Sequence, residues 1–208
     1  MNRGLYLVLE GGDGSGKTEQ GRRLSGWLAE RGHTVRHLRE PGSTAVGEAL
    51  RRLLLDPRTG GLLPLTEALL FSAARAEMLR TEVEPLVRGG GVAVVERCYL
   101  STLVYQGLAS GVALPLLREL TDAVHGALWP DRIFLLDVDP STRRQRADAA
   151  GKQDRFESRD ESFHRAVREG YRELGGAAVH EIDARGSIET VHAELRRQVE
   201  GLLAERSA

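Results

Sequence analysis

The sequence predicts a three-layer α/β fold, with a central, mostly parallel sheet of about five strands between helices on both faces. Three observations carry this expectation. Short apolar runs alternate with longer amphipathic stretches along the chain. Several runs are apolar at nearly every position, as suits strands covered on both sides rather than wetted on one. Enough chain separates successive runs for right-handed helical crossovers.

Leu5–Glu10 (LYLVLE) is the first strand, followed by a glycine-rich turn and a helix over 17–31. Val35–Leu38 is the second strand, with a helix near 44–55 after it. A long helix spans 65–88; Gly89-Gly90-Gly91 ends it and releases the chain into the strand Val92–Val95. A helix over 114–127 precedes the strand Ile133–Val138, and Asp139-Pro140-Ser141 supplies stop and cap chemistry for the next helix. Helix 160–174, strand Ala178–Ile182 and helix 187–205 complete the alternation. Arg143–Arg159 interrupts it: the segment is polar, carries Gly151 and offers little to bury, so a short mobile lid is expected over about 143–159. No repeat, low-complexity tract or long linker divides the chain, and residues 1–208 read as one domain.

Composition narrows the function classes. The chain has 208 residues, 41% hydrophobic and 28% charged, which describes a globular rather than a disordered protein. Its net charge of −1 gives no general electrostatic reason to bind nucleic acid or an anionic membrane, and neither is expected as a partner. The one cysteine, Cys98, excludes an internal disulfide and any zinc site that needs two thiolates. The N-terminal apolar run is too short for a secretory leader, and nowhere do about 18 apolar residues run together. A cytoplasmic location is expected. Of the 29 basic residues only Lys17 and Lys152 are lysines, so each lysine that survives the arginine bias calls for a closer look.

Lys17 lies in Gly11-Gly12-Asp13-Gly14-Ser15-Gly16-Lys17-Thr18, which fits G-x-x-x-x-G-K-[ST] in full. The motif follows a predicted strand and opens a predicted helix, its required context. Glycines allow successive backbone N–H groups to face one anion, and the helix N-terminus adds its dipole. Lys17 brings a compact charge to the β- and γ-phosphates, and Thr18 a hydroxyl for Mg²⁺. These residues point to a nucleoside triphosphate site. A guanine-reading N-K-x-D segment is impossible, because Asn2 is the only asparagine. Val92-Ala93-Val94-Val95-Glu96-Arg97 is apolar then acidic, but the arginine that follows suits a second anionic substrate better than a lytic water.

The further segments Arg39–Thr44 (REPGST), Leu70–Arg75 (LFSAAR), Glu96–Gly107 (ERCYLSTLVYQG), Pro130–Pro140 (PDRIFLLDVDP) and Asp154–Glu157 (DRFE) stand in one order with Glu10–Gln20. Together they resemble the thymidylate kinases from residue 5 to about 174. The resemblance implies a P-loop nucleoside monophosphate kinase fold, ATP and Mg²⁺ as donor, dTMP as acceptor, and a homodimer.

The residues agree with that chemistry. Transfer between phosphates needs two facing anion cradles. Lys17 and the loop make one. Arg97, at the C-terminal end of a strand, suits the other, and Arg51 matches a family position that also reaches the acceptor phosphate. Phe71 and Arg75, spaced i, i+4, share a helix face; the resemblance implies that they stack on thymine and donate to its carbonyl edge. Tyr105 and Gln106 match the family's YQG, which implies that the tyrosine packs against the deoxyribose, and Ser101 is expected to hydrogen-bond the base directly or through water. Asp13 and Glu96 are the acidic candidates, Asp13 between the phosphate chains and Glu96 with Thr18 at the metal. A transferring phosphoryl group in this family is approached by an arginine from the loop or from the lid. Gly14 stands where the first type carries it, so the lid is expected to supply it: Arg155 or Arg146, with Lys152 third. A kinase for another pyrimidine nucleotide or a deoxynucleoside, and a catalytically weak nucleotide-binding module, remain the alternatives.

Overall fold

The computed structural model describes residues 3–150, 155–176 and 179–207, with side chains described outside 147–150 and Ser207. Five strands, β1 (Leu5–Glu10), β2 (Val35–Arg39), β3 (Val92–Glu96), β4 (Arg132–Asp137) and β5 (Val179–Asp183), form one sheet in the order β2-β3-β1-β4-β5. Every pairing is parallel, with Leu5 opposite Val92 and Val8 opposite both Val95 and Ile133. All five predicted strands form, within a residue or two of their expected bounds.

The period-two side-chain alternation divides the core into two layers. Tyr6, Val8, Ala93, Val95, Ile133 and Leu135 face one cluster, packed against α3 (Pro64–Met78), α4 (Glu84–Arg88), α5 (Tyr99–Thr102) and α8 (Glu161–Leu174). Leu5, Leu7, Leu9, Val94, Phe134 and Leu136 face the other, against α1 (Lys17–Ala29) and α9 (Ile188–Ser207). Both faces of β1 are dry, and this is why its sequence shows no polar alternation.

Side chains cap three helix starts, of which only the one at Asp139 is expected from the sequence. Thr44 accepts from Gly47 N–H at 2.9 Å to start α2 (Ala45–Leu55), and Asp160 accepts from Phe163 N–H at 2.9 Å to start α8. The Asp139 carboxylate accepts from the N–H groups of Ser141 and Thr142, both at 3.0 Å, at the start of α7 (Pro140–Ala150).

Three expectations need correction. The helix over 65–88 is not uniform: a π-turn at Leu79–Val83 joins α3 to α4. Pro85 lacks the N–H that an α-helix would direct to Thr81, and the wider turn absorbs that loss. A helical stretch missing from the sequence reading runs from Tyr99 through a second π-turn at Leu103–Leu108, ahead of α6 (Leu114–His125). Its aromatic and β-branched residues mask the helical period. Third, the polar segment Arg143–Arg159 does bury side chains: it continues α7 to Ala150, and Arg155 and Phe156 are 8% and 6% exposed. Lys152 lies outside the described residues. Among the described residues no helix is long and apolar enough to cross a membrane.

His125, at the end of α6, is buried with Nδ1 2.9 Å from the Leu128 carbonyl and its ring stacked 4.6 Å from Trp129. Burial, aided by the Arg75 charge, pulls its pKa down from 6.5 to about 4. The unfolded chain therefore binds this proton more readily than the fold. The contribution is whole above about pH 6.5 and is lost as pH falls toward 4. Urea unfolding should show the wild type losing about 3 kcal/mol more than His125→Leu across that window. Equal losses would exclude His125 as the source.

Candidate active site

Glu10 ends β1, and five donors converge on its fully buried carboxylate. Oε1 accepts from the N–H groups of Cys98 (2.8 Å) and Ser101 (3.1 Å). Oε2 accepts from Ser101 Oγ and Tyr171 Oη, both at 2.8 Å, and from Gly11 N–H at 3.4 Å. The ends of β1 and β3 and the middle of α8 are thereby held together at the C-terminal edge of the sheet.

The phosphate loop rises from this point. Gly11 has φ 138°, and a Cβ there would stand 2.6 Å from the Leu136 carbonyl, so no other residue fits. Lys17 folds back over the loop and donates from Nζ to the carbonyls of Gly11 (3.0 Å) and Gly12 (2.7 Å). Burial, then the neighbouring Arg97 charge, lowers its pKa to about 8. Thr18 donates from Oγ1 to Glu96 Oε2 at 2.6 Å, and His37 Nε2 is 3.0 Å from Glu96 Oε1. Burial pushes the Glu96 carboxyl up, but His37, Thr18 and Lys17 outweigh it and hold it below the ordinary range.

Arg97 follows β3 in a left-handed backbone conformation, φ 70°, of the strained kind that non-glycine residues carry mostly at functional positions. Its Nη1 donates to Gly11 O and Ser101 Oγ, both at 3.2 Å, and its Nη2 is ion-paired with Asp13. Lys17 and Arg97, the cations of the two expected cradles, thus converge on a single carbonyl oxygen. Burial raises the Asp13 carboxyl, yet Arg97 and Lys17 prevail and keep it below its usual value.

A cleft of about 520 Å³ opens beside these residues and is lined by most predicted groups: Asp13, Gly14, Gly16, Lys17 and Thr18 of the loop, with Arg51, Phe71, Arg75, Glu96, Arg97, Ser101, Tyr105, Gln106 and Arg146. Arg75 is 1% exposed. Its Nε donates to Glu40 at 2.7 Å, and one Nη2 donates to Thr102 Oγ1 and the Cys98 carbonyl. Its Nη1 has no hydrogen-bond partner among the described residues. Burial pushes the Glu40 carboxyl up to about 7, against the opposing pull of Arg75. Phe71 and Phe156 meet at 5.8 Å, and Tyr105 meets Phe156 at 6.1 Å, forming an aromatic wall. Arg51 donates to the Pro41 carbonyl at 2.9 Å. Gln106 is turned to Glu67 at 3.1 Å, behind the wall.

A model of the family described as thymidylate kinase matches residues 9–195. The chain belongs to the thymidylate kinase family. It is 44% identical to a thymidylate kinase of Deinococcus radiodurans over 177 residues, 85% of each chain. It is 40% identical to that of Symbiobacterium thermophilum over 205 residues, 97% of this chain and 95% of the relative. The crystal structure of thymidylate kinase from Ehrlichia chaffeensis superposes with a TM-score of 0.75 at 28% identity, covering 95% of this chain and 99% of the other.

For this family member, the lid residues divide. Arg146 lines the cleft and donates to the carbonyls of Gly14 (3.4 Å) and Ala184 (3.1 Å). A Cβ at Gly14 would stand 3.1 Å from the Arg143 carbonyl and 3.5 Å from Arg146 Cβ, so α7 sits over the loop where another side chain would project. Arg155 is not brought to the cleft. It is bound to the buried Glu67 at 2.7 Å and to the Leu54 carbonyl at 3.0 Å. Sequence reasoning missed Glu10, Glu40, Phe156 and Tyr171 as members of the site. Glu10 left a signal as a lone charge closing an apolar strand, and Glu40 and Phe156 lay inside the segments REPGST and DRFE; Tyr171 left none.

Replacing Arg155 by Ala should leave Glu67 buried without its closest cation and lower unfolding stability by about 3 kcal/mol. The kcat of the folded enzyme should change only a few-fold. A hundredfold loss of kcat at unchanged stability would instead place Arg155 at the reacting phosphoryl group.

Proposed function

We propose that this enzyme transfers the γ-phosphoryl group of ATP to dTMP, giving dTDP and ADP for dTTP synthesis, with Mg²⁺ bound to the donor. The convergence of Lys17 and Arg97 on the Gly11 carbonyl carries the reading. Two cations from different elements, the head of α1 and the end of β3, meet at one point, which supports a donor γ-phosphate and an acceptor phosphate held side by side.

The roles follow from placement. The loop Gly11–Thr18, with its amides and Lys17, holds the donor phosphates. Arg97 and Arg51 hold the acceptor phosphate, and Asp13 orients Arg97 between the two chains. Phe71 stacks on the base, and the unpartnered Arg75 Nη1 is a buried donor awaiting a carbonyl oxygen. Tyr105 packs against the sugar, with Ser101 and Gln106 supporting it. Arg146 is the lid cation at the transferring group, in preference to Arg155.

The residues fit Mg²⁺. Thr18 and Glu96 put two hard oxygens side by side at the head of α1, and Mg²⁺ ordinarily takes few protein ligands, filling its shell with water and phosphate oxygens. When bound, Mg²⁺ neutralises charge on the donor phosphates. We place the enzyme in the cytoplasm, with its nucleotide substrates, and as a homodimer. Val46 and Leu53 on α2, Leu65 and Leu69 on α3 and Leu116 on α6 are exposed large apolar residues on three neighbouring helices, the surface a second copy would cover.

A coupled ADP-release assay across dTMP, dUMP, dCMP, UMP and thymidine should show dTMP as the best acceptor, and Arg146→Ala should lower kcat for it about a hundredfold. ATP binding without turnover of dTMP would support a nucleotide-binding module instead. Leu69→Glu should shift the mass measured by light scattering from dimer to monomer; an unchanged mass would place the contact elsewhere.

A further inference from the structure

Glu19 occupies the third position of α1, one residue after Thr18, and lines the main cleft beside the phosphate loop. A negative side chain there faces two difficulties. It repels donor phosphates seated on the helix N-terminus. It also stands where a glutamate ordinarily reaches back to the N-cap amide, here Gly16, one of the N–H groups the loop offers to phosphate. The structure shows where that carboxylate goes instead. Arg22 holds it with Nη2 at 2.8 Å and Nε at 3.3 Å, and Arg23 with Nε at 2.5 Å. Arg23 continues to Glu189 at 3.4 Å, and Gln20 donates to the Ile188 carbonyl at 2.9 Å, so the clamp is fixed against α9.

Resting on the donor-site reading above, we propose that Arg22 and Arg23 are positioning residues for ATP: they turn the Glu19 carboxylate away from the loop amides and neutralise it, leaving the cradle open to the donor phosphates. The restraint is geometric: three hydrogen bonds from two arginines on the same helix fix the carboxylate on the side away from the loop amides.

The test is direct ATP binding by calorimetry at low salt, with kcat at saturating ATP measured in parallel. Four proteins are compared: wild type, Glu19→Gln, Arg22→Ala/Arg23→Ala, and the triple variant. The double variant should bind ATP about fivefold or more weakly at low salt, with kcat little changed, because the freed carboxylate faces the donor phosphates with little screening. Adding Glu19→Gln should restore most of the affinity, and Glu19→Gln alone should bind as well as wild type. Restoration distinguishes a released carboxylate from lost cations or a loosened α1–α9 contact, since the triple variant lacks those too. A double variant that binds within twofold of wild type, or a triple variant no better than the double, overturns the inference. A wild-type protein that binds no ATP overturns the donor-site reading itself, and this inference with it.

Discussion

A buried carboxylate with every lone pair engaged organises this molecule's ligand edge. Glu10 closes a strand that is otherwise wholly apolar, and burying its charge would be prohibitive without compensation. The compensation comes from five donors on three elements: Gly11 on the loop, Cys98 and Ser101 after β3, and Tyr171 on α8. Because these groups cannot be satisfied separately, the loop, the β3 end and α8 have one mutual arrangement. Arg97 inherits it, since its Nη1 rests on Ser101 Oγ and the Gly11 carbonyl that the same network places.

Charge follows from that geometry. Lys17, Arg97 and Asp13 share a small volume before any phosphate arrives, and the two cations repel each other as well as attracting the aspartate. The lowered pKa of Lys17, caused by burial and then by Arg97, records that crowding. On the proposed function, phosphates bound here would supply negative charge to two crowded cations. Arg75 follows the same principle at the other end of the cleft. Three of its contacts are to Glu40, Thr102 and the Cys98 carbonyl, and the remaining nitrogen is buried without a hydrogen-bond partner among the described residues.

Residues that act through a local motif were legible in the sequence. The phosphate loop, Arg97 after its strand and the i, i+4 pair Phe71/Arg75 all stand in the cleft. The lid was not legible, because its role depends on partners far away in the chain. Arg155 and Arg146 look alike as polar residues of a polar segment. One is captured by Glu67, 88 positions away, while the other lies over Gly14, 132 positions away. The Arg155–Glu67 pair also explains why a segment with few apolar residues is nonetheless buried at Arg155 and Phe156. Hydrophobic periodicity counts apolar surface and cannot register an ion pair that makes burial of charge tolerable.

By itself the sequence determined the fold class and the strand positions, because strands buried on both faces must be apolar throughout and crossovers must be helical. It determined the donor site too, because phosphate binding at a strand–helix turn demands glycines and a lysine within eight consecutive residues. Tertiary structure alone decided which arginine lines the cleft, which carboxylate holds the edge together and where Tyr171 and Phe156 belong. Those outcomes rest on satisfying buried polar groups across long sequence separations, and a buried donor or acceptor is indifferent to where in the chain its partner lies.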